Sequence, residues 1–239
     1  MVYLSRIILN ATERDVQTRL SNCHALHTLA LRGFPQLPAG TDHARAFFGV
    51  LFRLESVLAD QQQVRLLVQS TTLPDWSRIP SGWLGSAPDE RGNPAVRTID
   101  QEYGNLDQVT DYFFRLRANP TKRISARNLD ESERWQKKQV DLRTDHDRME
   151  WLMRQANNHG FRIQPTPNQP TIPAVQILPQ PTSHGRDQEH RLTFGAATFE
   201  GILRITDLAR FRQALEHGIG KGKAYGFGLL SIATLGSRS

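Results

Sequence analysis

Cysteine is almost missing from this chain: Cys23 is the only one in 239 residues. A lone thiol cannot build a disulfide framework or a cysteine zinc site, and it fits a reducing, cytoplasmic setting. Long apolar runs are missing too. No stretch approaches the roughly 18 residues that mark a membrane span. The start, Met1-Val2-Tyr3-Leu4-Ser5-Arg6, lacks the pattern of a secretory signal. No membrane partner is expected. Neither a fixed short repeat nor a low-complexity tail is present. Acid is scarce relative to base: 24 Asp and Glu stand against 30 Lys and Arg, a formal charge of +6. Such a balance favours a polyanionic partner. The length suits one large domain or two of about 100–120 residues, each able to bury a core.

Glycine, by contrast, is concentrated. Five glycines (Gly218, Gly220, Gly222, Gly226 and Gly228) fall between His217 and Ala233, with Lys221 and Lys223 among them. Glycines this dense cost backbone entropy. One reason to keep them is a loop whose N–H groups approach an anion; the plainer one is a helix C-cap followed by a turn. The loop is no Walker A motif, because Gly222-Lys223 is followed by Ala224 and then a strand pattern. A dinucleotide fingerprint fails as well, since that loop follows a strand and opens a helix.

Apolar periodicity orders the rest. Val2–Leu9 predicts a strand, and Glu13–Leu31 a helix in two pieces broken near Ser21-Asn22. Ala46–Glu55 and Gln63–Gln69 predict strands. Thr71–Gln108, broken by prolines and glycines, reads as a degenerate second helix plus a linker. Thr110–Arg117 predicts a strand, and Asp147–Asn157 a helix with a buried stripe of Met149, Leu152, Met153 and Ala156. A short strand is expected at Ala174–Leu178, a polar mobile loop at Ser183–Arg191 and a long strand at Phe194–Thr206. Asp207 then caps a helix with Leu208, Phe211 and Leu215 inward. The last strand is expected at Phe227–Ala233. The second half thus runs β-α-β-β-α-β, the ferredoxin-like order, and the first half begins the same way. The expected fold is α+β: two ferredoxin-like (RRM-like) domains in tandem, each a four-stranded antiparallel sheet with helices on one face. The expected bounds are 1–95, a linker 96–109, and 110–239.

Two constellations carry chemistry. Arg115, Arg117, Lys122, Arg123 and Arg127 lie between Tyr112 and Asn128 with no acid among them. A basic hairpin there would track a nucleic-acid backbone; the alternative is a solvated face. His24 and His27 are three apart on the first helix pattern and so share a face. As metal ligands they lack an obvious third partner, and they can equally be ordinary surface histidines. As an acid–base pair they suit RNA cleavage. The 2′-OH is the nucleophile, a base takes its proton, an acid protonates the leaving 5′ oxygen, and cations steady the phosphorane. Ser21 and Ser183 also lie near histidines, but no Gly-x-Ser-x-Gly elbow supports a hydrolase.

The chain resembles the CasE family, the CRISPR repeat-processing endoribonuclease of type I-E systems. Four stretches carry the resemblance: Met1–Ile7, Phe114–Arg123 (Phe-Arg-Leu-Arg-Ala-Asn-Pro-Thr-Lys-Arg), Thr198–Leu203 and His217–Ala233. They lie in the family's order from end to end. The resemblance implies two ferredoxin-like domains and cleavage of CRISPR precursor RNA beside the repeat hairpin. It implies no cofactor and no metal, a 2′,3′-cyclic phosphate product, and an enzyme that keeps its guide RNA within a multisubunit surveillance complex. The family carries a Tyr-x-x-His arrangement on the first helix. His27 matches that histidine, while His24 stands where tyrosine is usual. By the same resemblance Arg115 to Arg127 grip the stem, and Gly218, Gly220, Lys221, Gly222 and Lys223 lie near the scissile phosphate or hold the groove between domains. A non-catalytic RNA-binding subunit is the alternative; a small-molecule enzyme on this scaffold fits the basic bias less well.

Overall fold

A computed structural model describes residues 1–37, 44–56, 62–87, 89–127, 135–187 and 190–235, with side chains except at 125–127, 135–138, 187 and 190. In the first half, β1 (Tyr3–Asn10) leads to α1 (Arg14–Leu20) and α2 (Cys23–Leu31). The helices part at Ser21-Asn22, as expected. Asn22 is the reason: its side chain accepts from the N–H of His24 and Ala25 at 3.0 and 3.3 Å. Such a cap is worth about 1 kcal/mol. After the short α3 (Ala44–Phe47) come β2 (Leu51–Ser56), β3 (Gln63–Ser70), β4 (Ala95–Thr98) and α4 (Asp100–Gly104). The strands form one antiparallel sheet in the order β2-β3-β1-β4.

The second half holds β5 (Asp111–Ala118), β6 (Thr121–Arg127), β7 (Trp135–Asp141), α5 (Asp145–Asn158), β8 (Phe161–Ile163), β9 (Pro165–Thr166), β10 (Gln169–Pro173), β11 (Val175–Asp187), β12 (His190–Ile205), α6 (Leu208–His217) and β13 (Leu230–Thr234). Its main sheet runs β11-β12-β5-β13, with β8 also paired to β12. In both sheets the first and third strands of the β-α-β-β-α-β order are central and every pairing is antiparallel. The fold is therefore two ferredoxin-like domains in tandem. The strands β6 and β7 pair with each other as a separate hairpin inserted before α5.

Several expectations need correction. The strand expected from Ala46 starts only at Leu51, because Ala44–Phe47 is helical and Gly49 turns the chain at φ +61°. The one α-helix described within Thr71–Gln108 is the short α4, after β4; among the described residues between β3 and β4 there is no α-helix. Two 3-10 turns, Trp76–Arg78 and Ser81–Trp83, stand there and bury Trp76 and Trp83 against the first core. The segment read as a linker begins inside β4, and we propose that the domain boundary falls after Thr98. Ser183–Arg191 is not a loop where described: both of its flanks extend the β11–β12 hairpin, with Ser183 opposite Phe194. On α5 the buried face includes Trp151, stacked 5.8 Å from Phe199, while Met153 is exposed. The final strand begins at Leu230, after the buried Phe227 and Leu229.

Each domain has its own core. One gathers Ile7, Leu29, Phe52, Leu66 and Trp76; the other gathers Leu116, Leu152, Phe199, Leu203 and Phe211. The domains also lock together. Arg53, almost fully buried on β2, donates to the carbonyls of Arg115 and Leu229 at 3.2 and 3.0 Å and to Ser231 Oγ at 3.0 Å. Gln69 on β3 donates to the carbonyl of Leu215 at 2.7 Å.

Candidate active site at the domain junction

The site is assembled where α2 meets the second domain. His24 and His27 lie one turn apart, half-buried, with ring centroids 6.3 Å apart. The β11–β12 hairpin packs on the N-terminal end of α2. A Cβ on Gly185 would stand 2.5 Å from Sγ of Cys23 and 3.0 Å from Oδ1 of Asn22, so only glycine permits this approach. Cys23 is buried in that contact. Burial pushes its thiol up, partly opposed by a hydrogen bond with Ser183 and by the charge of Arg117. On the other side the glycine loop brings Tyr225, whose ring centroid is 6.2 Å from that of His27. Tyr225 is held by stacking on Phe194 at 4.9 Å, and Phe194 in turn meets Phe227 at 5.8 Å.

The loop's shape follows from its glycines. All five have φ between 72° and 88°. Gly222 and Gly226 are left-handed residues flanking a 3-10 turn, Lys223–Tyr225, that faces α2. At Gly226 the left-handed backbone favours glycine, and a Cβ would also crowd the Phe52 ring at 3.0 Å. Ile219 donates to the carbonyl of Gly228 at 2.9 Å, and Gly228 donates to that of Arg117 at 2.8 Å. Gly218 is buried against Leu51, and Gly220 lies against Trp151. Packing and a positive φ both call for glycine at those two positions.

The basic residues divide into three groups. Lys122 and Arg123 are exposed on β6, with Lys122 3.6 Å from Asp147. Arg127 closes β6, and its side chain lies outside the described ones. Lys221 is exposed and donates to the Gln139 side chain on β7, tying the loop to the hairpin. Lys223 is half-buried, and burial followed by the nearby charge of Arg45 depresses its pKa. Burial likewise lowers the pKa of His159, with Lys223 adding to the effect. Arg117 is largely enclosed. Its guanidinium lies 4.5 Å over the Phe227 ring and donates to the Gly226 carbonyl at 3.2 Å. Burial brings its pKa down to about 10.

Arg115 faces a different duty from the one its sequence neighbours suggest. It pairs with Glu55 at 3.1 Å and Glu200 at 2.7 Å. Asp111, the nearest acid in sequence, pairs with Arg204 instead, and both partners of Arg115 arrive from other strands. Tyr225 is the residue that sequence reasoning missed. The signal was its place inside the glycine loop, the one hydroxyl-bearing aromatic there. Among the described residues no group of three or more His, Cys, Asp or Glu is placed to hold a metal. No described helix is long and apolar enough to cross a membrane.

Comparison with known proteins agrees with this architecture. A family model described as CRISPR associated protein matches residues 2–234. The CRISPR-associated endoribonuclease Cse3 of Thermus thermophilus is 30% identical over 97% of this chain and all of its own. The CRISPR system Cascade subunit CasE of Escherichia coli is 27% identical over 98% of this chain and all of its own. A solved structure of the Thermus thermophilus Cse3, bound to an RNA representing a pre-cleavage complex, superposes with a TM-score of 0.73. It is 30% identical and covers 97% of this chain and 98% of that one.

Proposed function

Since the chain belongs to the CRISPR associated protein family, we propose that it is a metal-independent endoribonuclease that cuts CRISPR precursor RNA beside the repeat hairpin. The observation that carries this is the junction itself. A histidine pair on α2 meets a glycine loop, a phenol and a set of cations at the seam between two domains. The kinship with an endoribonuclease solved on RNA supports the same reading.

The chemistry needs only the substrate's own nucleophile. The 2′-OH upstream of the cut attacks the adjacent phosphorus as a base takes its proton. The bond from phosphorus to the 5′ oxygen breaks, and an acid delivers a proton to that oxygen. The products are a 2′,3′-cyclic phosphate and a 5′-OH. His27 is the principal acid or base, since imidazole changes charge near neutral pH. His24 assists from the same helix face. Tyr225 brings a phenol to the junction from the loop, in a chain whose helix has histidine at the family's tyrosine position. Lys223 and Arg117 supply positive charge around the phosphorane, worth most where water is partly excluded. Lys122, Arg123 and Arg127 on the β6–β7 hairpin, with Lys221 beside it, grip the RNA stem. The enzyme then keeps its product as a cytoplasmic member of a surveillance complex, in line with the relative named as a Cascade subunit.

The test is cleavage of the cognate repeat RNA in excess EDTA, beside a copy carrying one 2′-deoxy sugar just upstream of the cut. Cleavage of the first to a cyclic-phosphate end, and none of the second, is expected. Tight binding of both with cleavage of neither would instead assign a non-catalytic RNA-binding subunit.

A further inference from the structure

The domains turn the helix-free faces of their sheets toward one another. Strand register places one arginine from each strand of the first sheet on that face. Arg53 of β2 lies opposite Leu67, Arg65 of β3 opposite Glu55, Arg6 of β1 opposite Leu67, and Arg97 of β4 opposite Leu4. The other face of this sheet packs on the helices through Ile7, Phe52, Leu66 and Val68. Across the junction Arg115 and Arg117 sit on the matching face of β5, beside Glu200 and Thr198 of β12.

Two grooves open on these faces. One, of about 600 Å³, is lined by Arg53, Arg65, Arg115 and Arg117 together with Glu55 and Glu200. The other, of about 420 Å³, crosses β1, β3 and β4 over Arg6, Arg65, Arg91 and Arg97, with Asp89. Arg65 lines both, so they form one path. The path is lined by seven different arginines and three carboxylates, and a fourth carboxylate, Glu102, pairs with Arg97 at 2.6 Å from beyond the lining. Two of the lining carboxylates are shared. Glu55 lies 2.7 Å from Arg53, 3.1 Å from Arg115 and 3.6 Å from Arg65; Asp89 lies 2.6 Å from both Arg6 and Arg91. The Nε groups of Arg6 and Arg65 are buried without a hydrogen-bond partner among the described residues. Unmade hydrogen bonds oppose folding, so this surplus of guanidinium is not there for stability alone. Arg65, Arg91 and Arg97 also keep 38%, 66% and 54% of their side-chain surface in solvent.

We propose that this path binds single-stranded RNA, the strand that continues from the hairpin past the scissile phosphate. The inference rests on the hairpin-cleaving function above and adds a second site to it. Charge selects a polyanion. Shape selects a single strand, which can lie along a groove with its phosphates toward a row of cations. None of the lining residues is aromatic, so bases have nothing to stack on and recognition is of the backbone, independent of sequence. The path also reaches the catalytic junction. Arg117 lines the groove at one end, and the same guanidinium touches Gly226 of the loop that carries Tyr225.

The experiment measures affinity of the full chain for three cleavage-blocked RNAs, each with a 2′-deoxy sugar at the cut. These are the bare hairpin, and the hairpin with about eight unpaired nucleotides added at its 5′ or its 3′ end, within the usual reach of such sites. The RNA whose added strand lies beyond the cut is expected to bind about tenfold tighter than the bare hairpin at low salt, and a gain from the opposite flank alone would overturn the proposal. The double variant Arg65→Ser/Arg97→Ser should lose that gain, and its slope of log affinity against log salt should fall by about 1.4, two phosphate contacts' worth. Binding of the bare hairpin reports on the function proposed above, separately from the gain. Equal affinity for all three RNAs would overturn the proposal and leave an acidic protein segment as the occupant of the path. So would a gain that survives the double substitution.

Discussion

The domain junction has two sides built from opposite materials. On the α2 side, His24, His27, Tyr225 and Phe194 meet over left-handed glycines, and the parts are held by stacking and by close approaches at Gly185 and Gly226. On the groove side, Arg53, Arg65, Arg115, Glu55 and Glu200 are held by ion pairs. The first arrangement sets two half-buried imidazoles beside a phenol, groups able to pass a proton. The second fixes charge permanently, the condition for holding a polyanion. On the proposals above, the α2 side carries the chemistry and the groove side holds the flanking strand, so substitutions on the two sides should fail in different ways.

The largest effect on stability is expected at Glu55, which is 9% exposed and faces three arginines. Burial alone would push its carboxyl up; the charge and hydrogen bonds of Arg53, then Arg115, outweigh burial and leave it below the ordinary 4.5. A carboxyl depressed in the folded chain stabilises above its unfolded value and loses that contribution as pH falls through the folded one. Glu55→Gln strands buried guanidinium charge and should cost about 3 kcal/mol at neutral pH. Chemical denaturation read at pH 7 and at pH 3.5 checks this, with the gap between wild type and variant narrowing at the lower pH. A gap that stayed constant would mean that Glu55 acts by packing and not by charge.

A smaller effect on stability, with a larger one on rate, is expected from Gly226→Ala. The left-handed backbone costs about 1–2 kcal/mol with a side chain present. The added methyl also meets Phe52 at 3.0 Å, which displaces the turn that carries Tyr225. Single-turnover cleavage should slow about tenfold, since misplacement by a fraction of an ångström is costly in rate, while hairpin affinity changes less than about threefold. Gly92→Ala is the control: its φ is +76°, but a Cβ there meets nothing within 4 Å. It should show the backbone cost without the loss of rate. Equal slowing by both substitutions would break the distinction between the two sides.

Periodicity made much of the fold legible. β1, the paired helices and β5 follow apolar patterns and one cap, which are local signals. The missing second helix of the first domain did not announce itself, because Trp76 and Trp83 fill its place from turns whose purpose shows only once the sheet exists. Ser183–Arg191 looked like a loop because its residues are polar. Its strand character comes from pairing along β12, and a hairpin standing over α2 has little core to face. The site was legible in the same uneven way. His24 and His27 share a helix face by spacing alone. Arg115 looked like part of one basic run, but Glu55 and Glu200 come to it from 60 and 85 residues away in sequence. Tyr225 sits nearly two hundred residues from His27 and meets it only through the domain junction.

The most direct test of the division between chemistry and grip is His27→Ala, with single-turnover cleavage and hairpin affinity measured on the same preparation. The account predicts a rate lower by about a thousandfold, within the usual range for loss of a general acid or base, and a dissociation constant within about threefold of wild type. Cleavage near the wild-type rate, or binding that collapses together with it, would contradict the assignment of the chemistry to the α2 side of the junction.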